Sequence, residues 1–237
     1  ACLCAEPSTG LQAMLNVPDT PLSHGARRIV DRLQKAGHKA VWAGGCVRDL
    51  LIGLPPKDFD IATGAKPDVV QGLFPNSKAV GKAFGVILVH LDGHDYDVAT
   101  FRKDLAYLDG RRPEGVEFTD AQEDANRRDF TINALFYDPL SNRIVDYVHG
   151  QSDLAARLVR CVGNPNERFK DDHLRMIRAV RFAATLDFRI DPDTANAIRI
   201  LSPNLERIAA ERIQMELTRI LLEAVRPGDA IVSMQKL

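Results

Sequence analysis

The chain has 237 residues, 45% hydrophobic and 27% charged, with 31 basic side chains against 32 acidic ones. That balance excludes a disordered tail and a membrane-embedded chain, and it allows one large domain or two smaller ones. It also gives no chain-wide positive field, so any site for a polyanion must be local. Residues 1–25 mix Pro, Ser, Thr and Gly without period and read as a poorly ordered leader. Ile29, Val30 and Leu33 predict a helix over 26–36 that Gly37 closes, and residues 39–43 read as a short buried strand. Gly44-Gly45 then turns the chain into a helix over 47–51. Gly53-Leu54-Pro55-Pro56 breaks that helix, and strands are expected over 57–62, 86–91 and 96–101. From residue 151 the patterns are mainly helical, over 169–186, 192–201 and 209–225. The expected architecture is α+β, a mixed sheet-and-helix head over 26–150 followed by an all-helical piece over 151–237. The basic residues of that second piece are almost all arginine, the side chain suited to forked contacts with phosphates and base edges.

Four cysteines, at 2, 4, 46 and 161, lack zinc-site spacing and are too few for a disulfide scaffold, so a reducing cytoplasm is the expected compartment. No run reaches the roughly 18 apolar residues that span a bilayer. Glu6, Pro7, Pro18, Asp19 and Pro21 interrupt every candidate signal segment, so no membrane partner is expected. Starting at Ala1 and stopping just after a helical pattern, the chain reads as part of a longer protein.

Lys57-Asp58-Phe59-Asp60-Ile61 holds the first candidate chemistry. Side chains alternate along a strand, so Asp58 and Asp60 face one way and Phe59 and Ile61 the other, into a core. Two carboxylates held side by side need a counter-charge, and hard oxygen ligands of this kind suit magnesium. An isolated D-x-D also occurs on solvated strand edges, so the neighbouring segments decide. Gly44-Gly45-Cys46-Val47-Arg48-Asp49 places a glycine turn between strand and helix, where backbone N–H groups can approach a phosphate and Arg48 can add a forked charge. It is neither the G-x-G-x-x-G of dinucleotide folds nor the P-loop. Two-metal phosphoryl transfer calls for a third carboxylate. Asp97 in Tyr96-Asp97-Val98-Ala99-Thr100-Phe101 is the choice, with Val98 and Thr100 pointing the other way and Asp95 as the competitor.

Arg127-Arg128-Asp129-Phe130-Thr131-Ile132-Asn133 offers arginines to a triphosphate, and Asp129 or Asn133 to a ribose hydroxyl. In Asp171-Asp172-His173-Leu174-Arg175, Asp172 can accept from an exocyclic amine while Arg175 donates to a ring nitrogen or carbonyl, a pattern that fits cytosine and adenine. Guanine and uracil would leave buried groups unpaired, at about 1–3 kcal/mol each. Arg175, Arg178 and Arg181 recur at three-residue steps among Leu174, Ile177, Val180 and Phe182, so they need partners, which either a nucleotide or a ladder of salt bridges can supply.

Five segments in this order, GGCVRDLLIGLPPKDFDIAT, DVATFR, RRDFTINALFYDP, RFKDDHLRMIRAVRFAATLDFRI and ERIQMELTRIL, resemble the class II tRNA nucleotidyltransferase and bacterial poly(A) polymerase family, from Val41 through Leu222. The resemblance implies a nucleotidyltransferase head and a helical neck. It implies that Asp58 and Asp60 bind magnesium, that an acid stands at Asp97, and that Gly45, Arg48 and Arg128 contact the incoming nucleotide. Asp172 and Arg175 would be the amino-acid template that selects CTP or ATP, with Arg178 and Arg181 in support. In such enzymes the 3′ hydroxyl of an RNA attacks the nucleotide α-phosphate and pyrophosphate leaves, without a nucleic-acid template. The chain departs from the family in carrying Asp171-Asp172 where Glu-Asp is usual, and family members continue into helical body and tail regions that hold the tRNA elbow.

The expected function is CCA addition to tRNA 3′ ends. Poly(A) polymerases of the family carry a Gly-Arg-Arg/Lys-Phe signature, and here the matching stretch is Val80-Gly81-Lys82-Ala83-Phe84-Gly85, which favours tRNA repair. Enzymes that add only CC or only A share the same motifs, the deciding loop lying within residues 103–123. An inert nucleotide- or RNA-binding fragment is the reading from another class, and retention of all three candidate carboxylates argues against it.

Overall fold

A computed structural model describes residues 15–105 and 114–237, so residues 1–14 of the expected leader and residues 106–113 of the loop lie outside the described residues. Contacts divide the described chain into two compact units. The first holds the residues through Asp104, then Gly115–Arg128 and Asn133–Gly150; the second holds Asp129–Ile132 and Gln151–Leu237, with Leu105 and Glu114. The fold is α+β, as expected, with a seven-stranded mixed sheet in the first unit and mostly helices in the second.

The first unit runs α1 (Pro21–Lys35), β1 (Ala40–Ala43), α2 (Gly45–Leu51), β2 (Asp60–Thr63), α3 (Pro67–Leu73), β3 (Ser77–Gly81), β4 (Val86–Leu91), β5 (His94–Thr100), β6 (Arg102–Asp104), β7 (Val116–Phe118), α4 (Ala121–Asn126), β8 (Leu135–Asp138) and β9 (Arg143–Asp146). The main sheet has the order β3-β4-β5-β2-β1-β8-β9, and β6 and β7 form a separate antiparallel pair. Every residue of β1 is buried, as a strand covered on both faces requires. Trp42 at its centre packs on Phe59, with ring centroids 4.6 Å apart, and on Tyr137 at 5.6 Å. Within the sheet only β2 and β5 pair in parallel.

α1 begins at Pro21 rather than at the expected residue 26. Thr20 supplies the reason: its hydroxyl accepts from the Ser23 N–H and the Ser23 hydroxyl accepts from the Thr20 N–H, each at 3.2 Å, which closes a capping box with Pro21 in the first turn. The helix lays Ala26, Ile29, Val30 and Leu33 on the core. Gly25 permits the closest approach, because a Cβ there would stand 2.1 Å from the Tyr96 hydroxyl, which donates to the Leu22 carbonyl at 3.0 Å.

In the second unit, α5 (Gly150–Ala155) starts at the junction and is followed by β10 (Leu158–Val159), α6 (Pro165–Asp171), α7 (Leu174–Leu186), β11 (Arg189–Ile190), α8 (Pro192–Leu201), α9 (Ala210–Glu223) and α10 (Pro227–Lys236). The helix expected over 169–186 is two helices. Asp172 between them is extended, with φ −147° and ψ 108°, and its carboxylate accepts the Leu174 N–H at 3.0 Å. A short acidic side chain that satisfies backbone donors outside the helix interrupts one at that point. Leu174, Ile177 and Val180 of α7 pack with Ile208, Ile220 and Ala230 in this unit's core. Among the described residues no helix is long and apolar enough to cross a membrane.

Gly25→Ala is expected to destabilise the fold by about 1–3 kcal/mol through overpacking, seen as a fall of several degrees in Tm. Tyr96→Phe on that background should recover only part of the loss, because the hydroxyl at 2.1 Å is the nearest clash while the ring carbon Cζ stays 2.8 Å away.

Candidate functional site

β2 and β5 lie side by side with Ile61 opposite Val98 and Ala62 opposite Ala99. Asp60 and Asp97 each stand one step upstream of the Ile61–Val98 pair, so the pleat turns both carboxylates to the face opposite those two buried side chains. Val98 and Thr100 are buried and Asp97 is exposed, which is the parity expected. Phe59 and Ile61 are likewise buried while Asp58 and Asp60 are exposed, although Asp58 precedes the strand, which starts at Asp60 rather than at 57. Asp95, on the same side as Asp97, is engaged by His90 Nδ1 at 2.8 Å.

Asp60 is accessible to water and yet crowded by protein. Burial first, then the charges of Asp58 and Asp97, push its carboxyl up to about 6, while Arg128 opposes the rise. Burial and then Asp58 and Asp95 also raise Asp97. Among the described residues no three His, Cys, Asp or Glu side chains are gathered into a ready-made metal centre. The donor chemistry nonetheless fits a hard dication: these are oxygen ligands with surplus negative charge. Magnesium is commonly held by one or two carboxylates, the rest of its octahedron coming from substrate phosphates and water.

Beside the carboxylates, Gly44 ends β1 with φ +76° and ψ −127°, and Gly45 opens α2. The Gly44 N–H donates to the Leu135 carbonyl at 3.0 Å, which fixes the turn on β8. Two guanidinium groups flank it. A Cβ on Gly44 would lie 2.9 Å from Arg128 Nη1, and one on Gly45 would lie 3.7 Å from Arg48 Nη2. Asn133 joins the two: its Oδ1 accepts from Arg48 Nη1 at 2.6 Å and its carbonyl accepts from Arg128 Nη1 at 3.1 Å. Asn133 is thus buried between arginines, engaged by groups expected to meet the nucleotide. Asp49 accepts from Arg48 Nε and Nη2, at 2.9 and 2.7 Å. Asp124 accepts from Arg128 Nε and Nη2, at 3.3 and 3.1 Å, and the Arg128 guanidinium lies over the Phe136 ring at 5.2 Å. Cys46 packs under this turn, and burial followed by the Asp60 charge pushes its thiol up to about 12, so it has no thiolate chemistry at neutral pH.

The remaining candidates belong to the second unit. Asp129 accepts from Arg178 Nε and Nη2, at 2.9 and 2.6 Å, and from the Phe130 N–H at 2.8 Å. Both Asp172 oxygens accept from Arg212, at 3.3 and 2.8 Å. Arg175 Nη1 donates to the Arg168 carbonyl at 3.0 Å and lies 3.6 Å from Asp171. Arg181 Nε donates to Glu216 at 2.5 Å, and its guanidinium sits 4.0 Å from the Phe182 ring. The three arginines of α7 therefore meet protein acids or carbonyls, which is the salt-bridge alternative left open by the sequence. Arg212 and Glu216 were not singled out beforehand, although both fall in the ERIQMELTRIL segment. Asp49 and Asp124 carried no signal beyond their place next to an arginine motif.

Residues 40–160 match the family described as the Poly A polymerase head domain. The chain belongs to that head-domain family. Residues 187–227 of this head-domain protein also match a probable RNA and SrmB-binding site of polymerase A. A CCA-adding enzyme of Ligilactobacillus salivarius is 44% identical over 208 residues, covering 87% of this chain and 51% of the relative. The crystal structure of the Bacillus stearothermophilus CCA-adding enzyme in complex with CTP is 38% identical, with a TM-score of 0.84, over 92% of this chain and 52% of that one. The Thermotoga maritima CCA-adding enzyme complexed with tRNA is 26% identical, with a TM-score of 0.75, over 94% and 52%. The chain spans about half the length of the relatives it matches.

In a carboxyl-resolved NMR titration, Asp60 should change protonation near pH 6. Asp97→Asn should move that midpoint down, because removing a negative neighbour makes the ionised form easier to reach. A midpoint left in place would mean that the two carboxylates do not share a field.

Proposed function

We propose that this chain provides the catalytic head, over 26–150, and the nucleotide-selecting neck, over 151–237, of a template-independent nucleotidyltransferase that adds C and A to tRNA 3′ ends. The observation that carries this reading is the crowding of Asp60 by Asp58 and Asp97 beside a glycine turn flanked by Arg48 and Arg128, in a chain whose relatives are CCA-adding enzymes. Asp58, Asp60 and Asp97 are the catalytic carboxylates. Enzymes of this family generally use a divalent metal, and magnesium is the ion that such ligands favour. When bound, it would neutralise phosphate charge and ease deprotonation of the attacking hydroxyl.

Gly44 and Gly45 keep the turn open to a phosphate, and the Arg48 and Arg128 guanidinium groups that flank it bind triphosphate oxygens. The ribonucleotide 3′ hydroxyl of the tRNA forms the new bond to the α-phosphorus as the bond to the pyrophosphate oxygen breaks. Asp129 and Asn133 are nearer to positioning roles than to direct ribose contacts, since arginines occupy both. Asp172 and Arg175 form the base-selecting pair, with Arg178 and Arg181 behind them. Arg212 already holds the Asp172 carboxylate, so an incoming base must share or displace that contact. The buried free thiols of Cys46 and Cys161 suit a reducing cytoplasm.

A tRNA lacking its terminal nucleotides, incubated with the protein, magnesium and CTP or ATP, separately and together, should be extended by C, C and A. Sequencing of the product ends separates CCA from A-only, CC-only and poly(A) products, and an unextended tRNA would overturn the reading. Asp60→Ala should reduce incorporation by about a thousandfold, equivalent to about 4 kcal/mol of lost transition-state stabilisation, with a melting temperature no lower than that of the unaltered protein. Arg175→Ala should narrow the preference for CTP and ATP over GTP and UTP by about tenfold, read from single-nucleotide incorporation rates.

A further inference from the structure

Asp124 is a buried acid of the first unit that the mechanism above does not use. Its residue is 1% exposed, on α4, and its two oxygens divide their work. Oδ1 accepts from Arg127 Nε at 2.9 Å and from the Arg102 amide at 3.3 Å, contacts that fix the carboxylate on its own helix and on β6. Oδ2 accepts from Arg128 Nε and Nη2, at 3.3 and 3.1 Å. Burial alone would raise the Asp124 carboxyl, but Arg128 and Arg127 outweigh it and hold the acid below its ordinary range, so it is ionised at neutral pH.

The Arg128 guanidinium is consequently fixed on three sides: by Asp124 along Nε and Nη2, by the Asn133 carbonyl at Nη1, and by the Phe136 ring beneath its plane. Of the five N–H donors of an arginine, three are taken by these contacts, and Nη1 sits against the glycine turn, within 2.9 Å of where a Gly44 Cβ would be. An unanchored arginine would lose rotamer freedom on binding a phosphate. An arginine already locked at the turn would not.

We propose that Asp124 is a positioning residue for phosphate recognition, acting through Arg128 and holding its guanidinium at the Gly44 turn. The proposal rests on the reading of Arg128 as a triphosphate contact. It separates Asp124 from the carboxylates Asp58, Asp60 and Asp97, because its charge is directed at an arginine rather than at a cation.

The test is a double-mutant cycle on the full chain, with magnesium, reading the dissociation constants of CTP and of cytidine by calorimetry. Asp124→Asn should weaken CTP about tenfold and leave cytidine unchanged, whereas general loosening of the fold would weaken both. Arg128→Ala should weaken CTP by at least as much, and adding Asp124→Asn to it should change CTP binding by less than twofold. Independent effects that multiply in the double variant, or equal weakening of CTP and cytidine, would overturn the positioning role while leaving Arg128 in place. An Arg128→Ala variant with normal CTP affinity would instead remove the triphosphate reading, and the proposal with it. Should Asp124→Asn melt too low for calorimetry, Asp124→Glu, which keeps the charge and lengthens the arm, takes its place in the cycle with the same coupling expected.

Discussion

Parallel pairing of β2 with β5 is the constraint from which the first unit's chemistry follows. It sets Asp60 and Asp97 in neighbouring register on one face, where the pleat allows neither to turn toward the core. The folded-state carboxyl of Asp60 lies above its unfolded value, so its ionisation works against folding in full at pH above about 6, and that penalty shrinks as the pH falls from about 6 toward the ordinary carboxylate value of 3.8, below which it is gone. A fold keeps such a penalty only if the surroundings are stiff enough to bear it. Here they are: β1 is buried along its whole length beside β2, and Trp42, Phe59 and Tyr137 pack behind it. Like charges held together in this way are a standing demand for a cation, and Arg128 answers only part of it.

In the second unit the same electrostatic logic runs in the opposite direction. Arginines are the crowded species, and acids are placed to hold them. Burial lowers Arg181 below its ordinary value while Glu216 opposes the fall, and Glu216 lies 3.9 Å from Arg178 as well. A chain of charges therefore runs Asp129–Arg178–Glu216–Arg181, from the segment that follows Arg128 to the middle of α9. Removing one member of such a network takes a charge partner from a buried neighbour, a change that costs up to about 3–5 kcal/mol where the pair is fully buried. That severity explains why ordinary helix-forming residues would not serve at these positions on α7.

Much of this is legible in the sequence, for identifiable reasons. Alternation in Asp58-Phe59-Asp60-Ile61 follows from strand geometry alone, and burial of Phe59 and Ile61 agrees with it. The strand over 86–91 and the helix over 192–201 have the expected bounds, since apolar pattern, proline and turn residues mark both ends. The break at Asp172 was missed because apolar periodicity continues across it, and only the side chain's bond to the Leu174 N–H reveals the stop. α1 was placed late because its cap is Thr20 with Ser23, a weaker sequence signature than one with Glu or Gln. The partners of the arginines were the least legible. Asp124 lies close in sequence to Arg128, but Glu216 is thirty-five residues from Arg181 and Arg212 is forty from Asp172, and no local pattern announces a contact at that distance.

A nearly neutral chain can attract a triphosphate only through its local arrangement of charge, and the arrangement here is one of arginines already bound to acids. That lowers the net positive potential that a phosphate would meet, which on charge alone is a loss. It is offset by direction. Arg48, held by Asp49 and Asn133, and Arg128, held by Asp124 and Asn133, have their guanidinium groups fixed beside a backbone turn that glycine keeps clear. Phosphoryl transfer has little covalent work for the protein to do, and its rate depends on placing the attacking and leaving oxygens in line. On the proposed function, affinity given up to the acids would be returned as orientation, the scarcer quantity in a reaction of that class.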